Sequence, residues 1–362
     1  MIEKKPLIDI LTILSKTPVR ALDMIPLPGD ASNRRYCRLS YKTDSTTHSL
    51  MLMVLSDPEQ FKSPEEIGSE SSCHLSELPF INLQKHLSRC CIAVPKLFFY
   101  DEKRGWLLLE DLGNLTLFDQ IAPYLHNPKF LLKMYKKAID TLITIQLEAT
   151  PVHREPSFAH IRQFDESLFL WEFDHFIEYG IERRLKITLQ EDKKKQLRTV
   201  FSEIASQLAA LPRLFCHRDY HSRNLMITTS DSGAETIRVI DFQDALMGPP
   251  HYDLASLLRD SYVDLPEELI SRLLEYYLTM WEKRSGKKFD EIPFVASFDL
   301  ISLQRNLKAA GRFIYIDQVK NKDHLLPFVL PTLEKAKQTL LKYPSLKPLL
   351  QLLEDLGALQ AR

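Results

Sequence analysis

The 362-residue chain is longer than one compact core usually holds, which predicts two lobes or domains. Its formal net charge is -1 and its pI is about 6.8, so no overall positive field exists to hold nucleic acid or an anionic membrane surface. Neither is an expected partner. The five cysteines show no CxxC spacing, which argues against a disulfide framework and a structural zinc site and favours a reducing compartment.

The N-terminal stretch predicts a packed helix and not a signal peptide, because no small-residue cleavage site follows it and Asp9 interrupts its apolar run. One helical face would carry the side chains of Leu7, Ile10, Leu11 and Leu14. No apolar run approaches the roughly 20 residues that a membrane span needs. We therefore expect a cytoplasmic protein.

The first hundred residues are rich in predicted strands. Strand patterns occur in YCRLSYK and SLMLMVL, and again in KLFFYD and WLLLED, which a turn at Gly105 joins. A helix is predicted near residues 80–89. This part of the chain is the expected small N-terminal lobe, residues 1–109.

After Gly113 the apolar spacing becomes helical, and only residues 214–242 interrupt it with strand patterns. We predict an α+β fold with a small β-rich N-terminal lobe, a hinge at 110–113 and a larger, mostly helical C-terminal lobe at 114–362.

The strand patterns NLMITT and TIRVIDF flank turn residues and predict a hairpin. Antiparallel pairing would bring Asn224, at the start of the first strand, close to Asp241, at the end of the second. Asp219 lies five residues before Asn224. These oxygens suit phosphoryl transfer, with Asn224 and Asp241 as ligands of Mg²⁺ and Asp219 as the base that orients a substrate hydroxyl.

Two other interpretations of this stretch remain open. HRDYH would also fit part of a metallohydrolase site, although the other histidines are scattered. Cys216 beside His217 would fit a nucleophile and its base. The apolar neighbours of Cys216 favour a buried strand cysteine instead, and we expect His217 to hydrogen-bond the loop as a structural residue.

The motifs HRDYHSRN and IDFQD resemble the catalytic loop and the D-F-G segment of kinases, in the same order. The resemblance implies a bilobal protein-kinase-like fold. The chain passes from Asp241 to Asp253 and straight into a predicted helix, which leaves no room for an activation loop and favours a small-molecule substrate. This part is similar to the aminoglycoside phosphotransferase and choline kinase superfamily, which implies that Asp253 braces the catalytic loop. A helix N-cap is the alternative role for Asp253.

Motifs along nearly the whole chain, among them LLLEDLG, LFLWEF and SLQRNLKAAGRF, look like those of the bacterial cell-wall-recycling kinases. These enzymes phosphorylate the anomeric hydroxyl of N-acetylmuramic acid and N-acetylglucosamine. The resemblance implies ATP and Mg²⁺ as cofactors, a sugar as acceptor and a functional link to a sugar-1-phosphate nucleotidyltransferase. An aminoglycoside, choline or another small alcohol remains an alternative acceptor.

The nucleotide would contact two segments of the N-terminal lobe. GDASNRRY stands where kinases have a Gly-rich loop, with Ala31, Ser32, Asn33 and Arg35 as candidate phosphate-binding residues. In LLLEDLG the backbone of Glu110 and Leu112 would meet the adenine, and Asp111 would cap the next helix. The strand SLMLMVL has no lysine, so either Arg34 or Arg35 replaces the usual cation or the chain is a nucleotide-binding pseudokinase.

The acceptor site is less well defined by the sequence. Candidate acceptor-binding residues are Trp171, Arg223, Asp244 and Arg305. Trp171 would stack on a sugar, although its apolar neighbours also fit a core position. Arg305 would suit the carboxylate of N-acetylmuramic acid, or lie on a solvated helix face.

Overall fold

The structure, a computed structural model, describes residues 2–27, 34–44, 46–55, 77–153, 155–230 and 233–360. The described residues form two compact units. The elements of the first unit are α1 (Lys4–Ser15), β1 (Ala21–Pro26), β2 (Arg35–Lys42), β3 (Thr47–Val54), β4 (Leu97–Asp101) and β5 (Trp106–Glu110).

The first unit is an antiparallel sheet with the strand order β1-β2-β3-β5-β4. Leu39 of β2 and Leu50 of β3 are opposite each other across the sheet, and they belong to the apolar residues that alternate along these strands. They point to one face and form a core with Leu7 and Leu11 of α1, as the N-terminal pattern predicted. The opposite face carries the polar side chain of Arg38, which contacts the segment after β5.

The second unit contains the remaining elements. Its helices are α2 (Pro79–Arg89), α3 (Leu117–Ile121), α4 (Pro128–Glu148), α5 (Phe158–Ile161), α6 (Glu166–His175), α7 (Glu191–Ala209), α8 (Pro250–Leu258), α9 (Glu267–Ser285), α10 (Glu291–Lys320), α11 (Val329–Lys342) and α12 (Lys347–Asp355). Its strands are β6 (Leu214–Cys216), β7 (Leu225–Thr229), β8 (Glu235–Val239) and β9 (Leu246–Gly248). These strands form two short antiparallel pairs, β6 with β9 and β7 with β8.

The predicted α+β organisation is confirmed, with a β-rich first unit and a mostly helical second unit. Helix α2 groups with the second unit, although it precedes β4 and β5 in the sequence. The lobe boundaries at 109 and 113 stay predictions. Among the described residues, no helix combines the length and the apolar character that crossing a membrane requires.

A π-helical segment, Phe176–Arg183, continues α6 and was not predicted from the sequence. It packs closely on α10 at Gly311, where an added Cβ would lie 3.0 Å from the Cα of Phe176. Any larger residue at this position would push the two helices apart. The close contact holds α6 and α10 side by side, and both helices contribute charged residues to the site.

Candidate active site

The β7–β8 hairpin brings the two candidate metal ligands together. Leu225 pairs with Val239 across the hairpin, and the backbone N–H of Ile240 donates to the carbonyl oxygen of Asn224 at 3.1 Å. Asn224 and Asp241 therefore lie at the same end of the hairpin, as the strand patterns predicted. Asp241 adopts a left-handed backbone conformation with φ 64°, which is uncommon for a residue with a side chain.

His217 connects the Asp219 loop to this hairpin end. Its Nε2–H donates to the carbonyl oxygen of Ile240 at 3.0 Å, and its Nδ1 accepts from the backbone N–H of Asp219 at 3.3 Å. Because a carbonyl can only accept, the ring proton must lie on Nε2. Burial lowers the pKa of His217, which favours this neutral form and a structural role over a base.

The side-chain amide of Asn224 has a defined orientation. Its Nδ2–H donates to the carbonyl oxygen of Asp219 at 2.9 Å, so Oδ1 is the atom left for a metal ion. Nδ2 also lies 3.3 Å from Nε2 of His221, which must then accept and carry its proton on Nδ1. That buried Nδ1 has no partner among the described residues. His221 was not predicted as a site residue, because its contact with Asn224 depends on the loop conformation.

The donor set fits Mg²⁺ bound together with phosphates. Asn224 and Asp241 offer hard amide and carboxylate oxygens, and Mg²⁺ usually takes only one or two protein carboxylates beside substrate phosphates. The described residues contain no group of three or more histidine, cysteine, aspartate or glutamate side chains that would hold a metal alone.

Asp253 on α8 holds the first half of the loop. Its carboxylate accepts the backbone N–H of His217 at 2.6 Å and that of Arg218 at 2.9 Å, and the Cys216 thiol at 3.4 Å. Since the N-cap of α8 is Pro249, the alternative role of Asp253 as a helix cap is wrong. Burial raises the pKa of the Cys216 thiol well above its usual value, so this cysteine is a core residue and not a nucleophile.

Asp260 holds the second half of the loop. Its Oδ2 accepts both the backbone N–H of Ser222 at 3.0 Å and the Ser222 hydroxyl at 2.5 Å. The hydroxyl of Tyr220, between the two halves, donates to the carbonyl oxygen of Ala138 in α4 at 2.9 Å. The loop that carries Asp219 is thus hydrogen-bonded to α4, to α8 and to Asp260, which follows α8, and is preorganised.

A buried ion pair lies behind this loop. Arg218 has a left-handed backbone with φ 76°, and its Nη2–H donates to Glu172 of α6 at 3.2 Å. Glu172 is fully buried and also accepts from Gln304 at 2.7 Å, with Lys308 at 3.7 Å. Sequence analysis missed Glu172, although an acid inside the apolar run LFLWEF was a usable signal, since buried acids need partners.

Asp219 is surrounded by cationic groups. Burial alone would raise the pKa of its carboxyl, but the positive charges of Lys308, Arg305 and Arg218 together hold that pKa below its usual range. Asp219 is therefore ionised at any working pH. An ionised carboxylate can accept a hydrogen bond from a hydroxyl and orient it, although its low basicity makes positioning its main contribution.

Comparison with known proteins agrees with this geometry. A family model described as "Phosphotransferase enzyme family" matches residues 23–286. The chain belongs to the phosphotransferase enzyme family. The predicted recognition and the predicted enzyme class are confirmed.

Curated relatives of this phosphotransferase match over most of its length. The N-acetylmuramate/N-acetylglucosamine kinase of Pseudomonas aeruginosa is 28% identical over 338 residues, 92% of this chain and 88% of the relative. The protein of the same name from Neisseria meningitidis is 29% identical over 349 residues, 94% of this chain and 92% of the relative. Among solved structures, choline kinase LicA from Streptococcus pneumoniae matches with a TM-score of 0.58 at 15% identity, covering 94% of this chain and 100% of that chain. The predicted kinase-like fold class is confirmed.

One predicted acceptor residue of the phosphotransferase, Arg305, lies against the loop that carries Asp219. Arg305 of α10 donates through Nη1 to the carbonyl oxygen of Arg218 at 2.9 Å. Its guanidinium carbon lies over the Tyr252 ring, 4.4 Å from the ring centroid. Asp244 is half-buried and accepts from Gln243 at 2.6 Å. Their acceptor roles stay predictions.

The other two predicted acceptor residues have aromatic neighbours. Trp171 is half-buried and stacks on His175 with ring centroids 5.6 Å apart, so it is not a core residue. The guanidinium of Arg223 lies 3.7 Å from the Tyr262 ring centroid, with Phe118 at 4.9 Å. This stacking uses one face of the Arg223 guanidinium, and the acceptor role of Arg223 stays a prediction.

The predicted nucleotide residues are described only in part. Ala31, Ser32 and Asn33 lie outside the described residues, and Arg35 is exposed on β2. The backbone N–H of Glu110 donates to the carbonyl oxygen of Lys96 at 2.9 Å. A purine contact at Glu110 would therefore have to use the backbone carbonyl of Glu110.

Leu112, the second predicted hinge contact, is half-buried. We expected Asp111 to cap the next helix. This prediction is wrong, because the N-cap of α3 is Thr116. Asp111 instead binds Arg38, a residue that sequence analysis did not consider.

Proposed function

We propose that this phosphotransferase transfers the γ-phosphoryl group of ATP to the anomeric hydroxyl of N-acetylmuramic acid or N-acetylglucosamine. The curated relatives carry the names of these sugars and match over most of the chain. The site contains an ionised aspartate, an amide and a second carboxylate on a preorganised loop and hairpin, which is the set that phosphoryl transfer needs.

The charge around Asp219 is the observation that carries the choice of acceptor. Three cations, Arg218, Arg305 and Lys308, act on this carboxylate, and Glu172, Asp244 and Asp253 are acids that act on the arginines of this cationic group. Aminoglycosides and choline are cations, and placing them beside this group would cost free energy through like-charge repulsion. A neutral or anionic sugar meets no such cost.

The chemistry then follows from the positions of the residues. Asp219 accepts the hydrogen bond of the sugar hydroxyl and directs its oxygen at the γ-phosphorus. The new P–O bond forms as the bond to the β,γ-bridging oxygen breaks, the hydroxyl proton passes to Asp219, and ADP leaves. Mg²⁺, held by Asn224 and Asp241, would neutralise the phosphate charge.

A nucleotide-binding pseudokinase is the second candidate, because β3 has no lysine to hold the phosphates. Arg34 and Arg35 remain the candidate replacements in our proposal. A catalytic role for the site is favoured by the ionisation of Asp219, since a module that only binds nucleotide does not need a carboxylate to orient an acceptor hydroxyl.

The proposal extends to the surroundings of the reaction. A sugar 1-phosphate is a substrate for a nucleotidyltransferase that forms a nucleotide-activated sugar, so we propose that such an enzyme consumes the product. ATP supply and the reducing environment that the cysteines favour suit a cytoplasmic location.

The test is a panel of acceptors incubated with Mg-ATP, with the product identified by phosphorus NMR. We expect a sugar 1-phosphate from N-acetylmuramic acid, N-acetylglucosamine or both, and none from the methyl glycosides, whose anomeric oxygen is blocked. Turnover of choline or an aminoglycoside without turnover of either sugar would contradict the assignment. ATP binding without turnover of any acceptor would favour the pseudokinase.

A further inference from the structure

A network around Asp111 holds the segment that follows β5. Arg38 of β2 donates through Nε to Asp111 Oδ2 at 2.7 Å and through Nη2 to Oδ1 at 3.0 Å, a two-point contact that fixes the carboxylate plane. The Ser49 hydroxyl donates to the same carboxylate. These hydrogen bonds lower the pKa of Asp111 despite the opposing effect of burial, so the pair remains charged.

The same guanidinium also reaches Gly113 and Asn114. Nη2 donates to the carbonyl oxygen of Gly113 at 2.9 Å, and Nη1 donates to Asn114 Oδ1 at 2.7 Å. Gly113 has φ +81°, a conformation that favours glycine, and its N–H donates to Asp111 Oδ1 at 3.1 Å. One arginine thus holds Asp111, Gly113 and Asn114 of an otherwise irregular segment.

Arg38 is therefore not a replacement for the missing lysine. An arginine side chain has five N–H donors, and four of those of Arg38 are used in the contacts to Asp111, Gly113 and Asn114. A cation with so few donors left is unsuited to hold two phosphates. Its position predicts an effect on the backbone of residues 110–114.

We propose that Arg38 is a positioning residue for the purine nucleotide, which fixes the backbone from Glu110 to Asn114 before the nucleotide binds. This inference rests on the proposed use of ATP. The physical basis is preorganisation: a segment that is already ordered in the free protein loses little conformational entropy on binding. The network should then affect recognition of the base and leave the phosphates and the chemical step unaffected.

The test compares two ligands in the full-length protein, Mg-ADP and Mg-tripolyphosphate, which has no purine. In Arg38→Ala we expect ADP affinity and the KM for ATP to worsen by about tenfold or more, with kcat within about twofold. Affinity for tripolyphosphate should stay unchanged. Arg38→Lys keeps the charge but not the two-point contact and should recover only part of the loss.

Two controls separate this role from a general loss of stability. Arg20→Ala removes an exposed ion pair with Asp44, formed just before β1 and just after β2, and should leave every binding constant unchanged. The double variant Arg38→Ala with Asp111→Ala should bind ADP no worse than Arg38→Ala alone, because both changes remove one network.

The possible outcomes lead to distinct conclusions. Equal loss of ADP and tripolyphosphate affinity in Arg38→Ala would assign Arg38 to the phosphates, and unchanged ADP affinity would remove it from nucleotide binding; either result overturns the proposal. Nucleotide binding that follows the prediction, without turnover of any sugar, would overturn the proposed function and leave the role of Arg38 intact. A wild-type protein that binds no adenine nucleotide would overturn both.

Discussion

Two arginine–carboxylate networks hold irregular segments of this protein in different surroundings. In the first unit, Arg38 and Asp111 pair at side chains that are 18% and 8% exposed, and nearly every donor of the guanidinium is used. In the second unit, Arg218 and Glu172 pair at side chains that are 7% and 0% exposed. The first pair keeps some contact with water, whereas the second is desolvated.

The difference shows what each network does for the protein. Nε of Arg218 is buried and has no hydrogen-bond partner among the described residues, so the second pair is not optimised for stability. An apolar pair of similar size would often be as stable. What the buried charges supply is a fixed, strained Arg218 directly before Asp219 and a cationic environment for that carboxylate.

The largest effect is expected from breaking the buried network. Glu172→Ala would leave Arg218 and Lys308 without their buried counter-charge, and we expect the free energy of unfolding to fall by about 3 to 5 kcal/mol. Urea unfolding measures this. The control is Glu178→Ala, which removes an exposed acid on the following π-helical turn and should have little effect. Similar losses in both variants would show that the buried pair has no special role.

A second effect sharpens the contrast, because burial in the helical unit makes it sensitive to acid. Burial lowers the pKa of His251 to about 3, and both ring nitrogens lack partners among the described residues. Since the folded-state pKa lies below the unfolded value of about 6.5, the unfolded chain binds the extra proton first, and stability falls as pH drops from 6.5 towards 3.

His251→Phe tests this acid sensitivity. The variant keeps an aromatic ring next to Phe294, whose ring centroid lies 4.1 Å from that of His251, but the new side chain cannot bind a proton. Between pH 6 and pH 4, the slope of the unfolding free energy against pH should be smaller in the variant by about 1.4 kcal/mol per pH unit, the contribution of one proton. Unfolding curves at several pH values measure the slope. An unchanged slope would place the proton uptake elsewhere.

A smaller effect is expected from breaking the network of Arg38 and Asp111, which keeps some contact with water. Arg38→Ala should reduce the free energy of unfolding by about 1 to 2 kcal/mol, the size of a charged hydrogen bond near the surface. Arg20→Ala, at an ion pair whose side chains are 64% and 62% exposed, should cause no measurable change. A loss in Arg38→Ala as large as that in Glu172→Ala would contradict the ranking by burial.

Local patterns in the sequence predicted most of the fold. The alternation in β2 and the helical spacing in α4, α7 and α9 correspond to the observed elements, because each pattern reports which face of an element is buried. The π-helical turn after α6 was not predictable, since it depends on the close approach of α10 at Gly311. The grouping of α2 with the helical unit likewise depends on tertiary contacts.

The candidate site was predictable where its residues are close in sequence. Asp219, Asn224 and Asp241 belong to one loop and one hairpin, so spacing alone brought them together. Glu172 and Arg38 were missed because each meets its partner across a long stretch of sequence, at Arg218 and Asp111 respectively. The apolar neighbours of Trp171 suggested a core position, yet Trp171 is only partly buried and its ring stacks on His175.

The most direct test of the central claim is the turnover of Asp219→Asn with Mg-ATP and the two sugars, beside Asp174→Asn at an exposed ion pair of the same unit. We expect Asp219→Asn to lose about two or more orders of magnitude in kcat while ADP affinity and the unfolding midpoint stay close to those of the wild type, and Asp174→Asn to match the wild type. Retained sugar 1-phosphate formation in Asp219→Asn would contradict the assignment of this loop as the catalytic element.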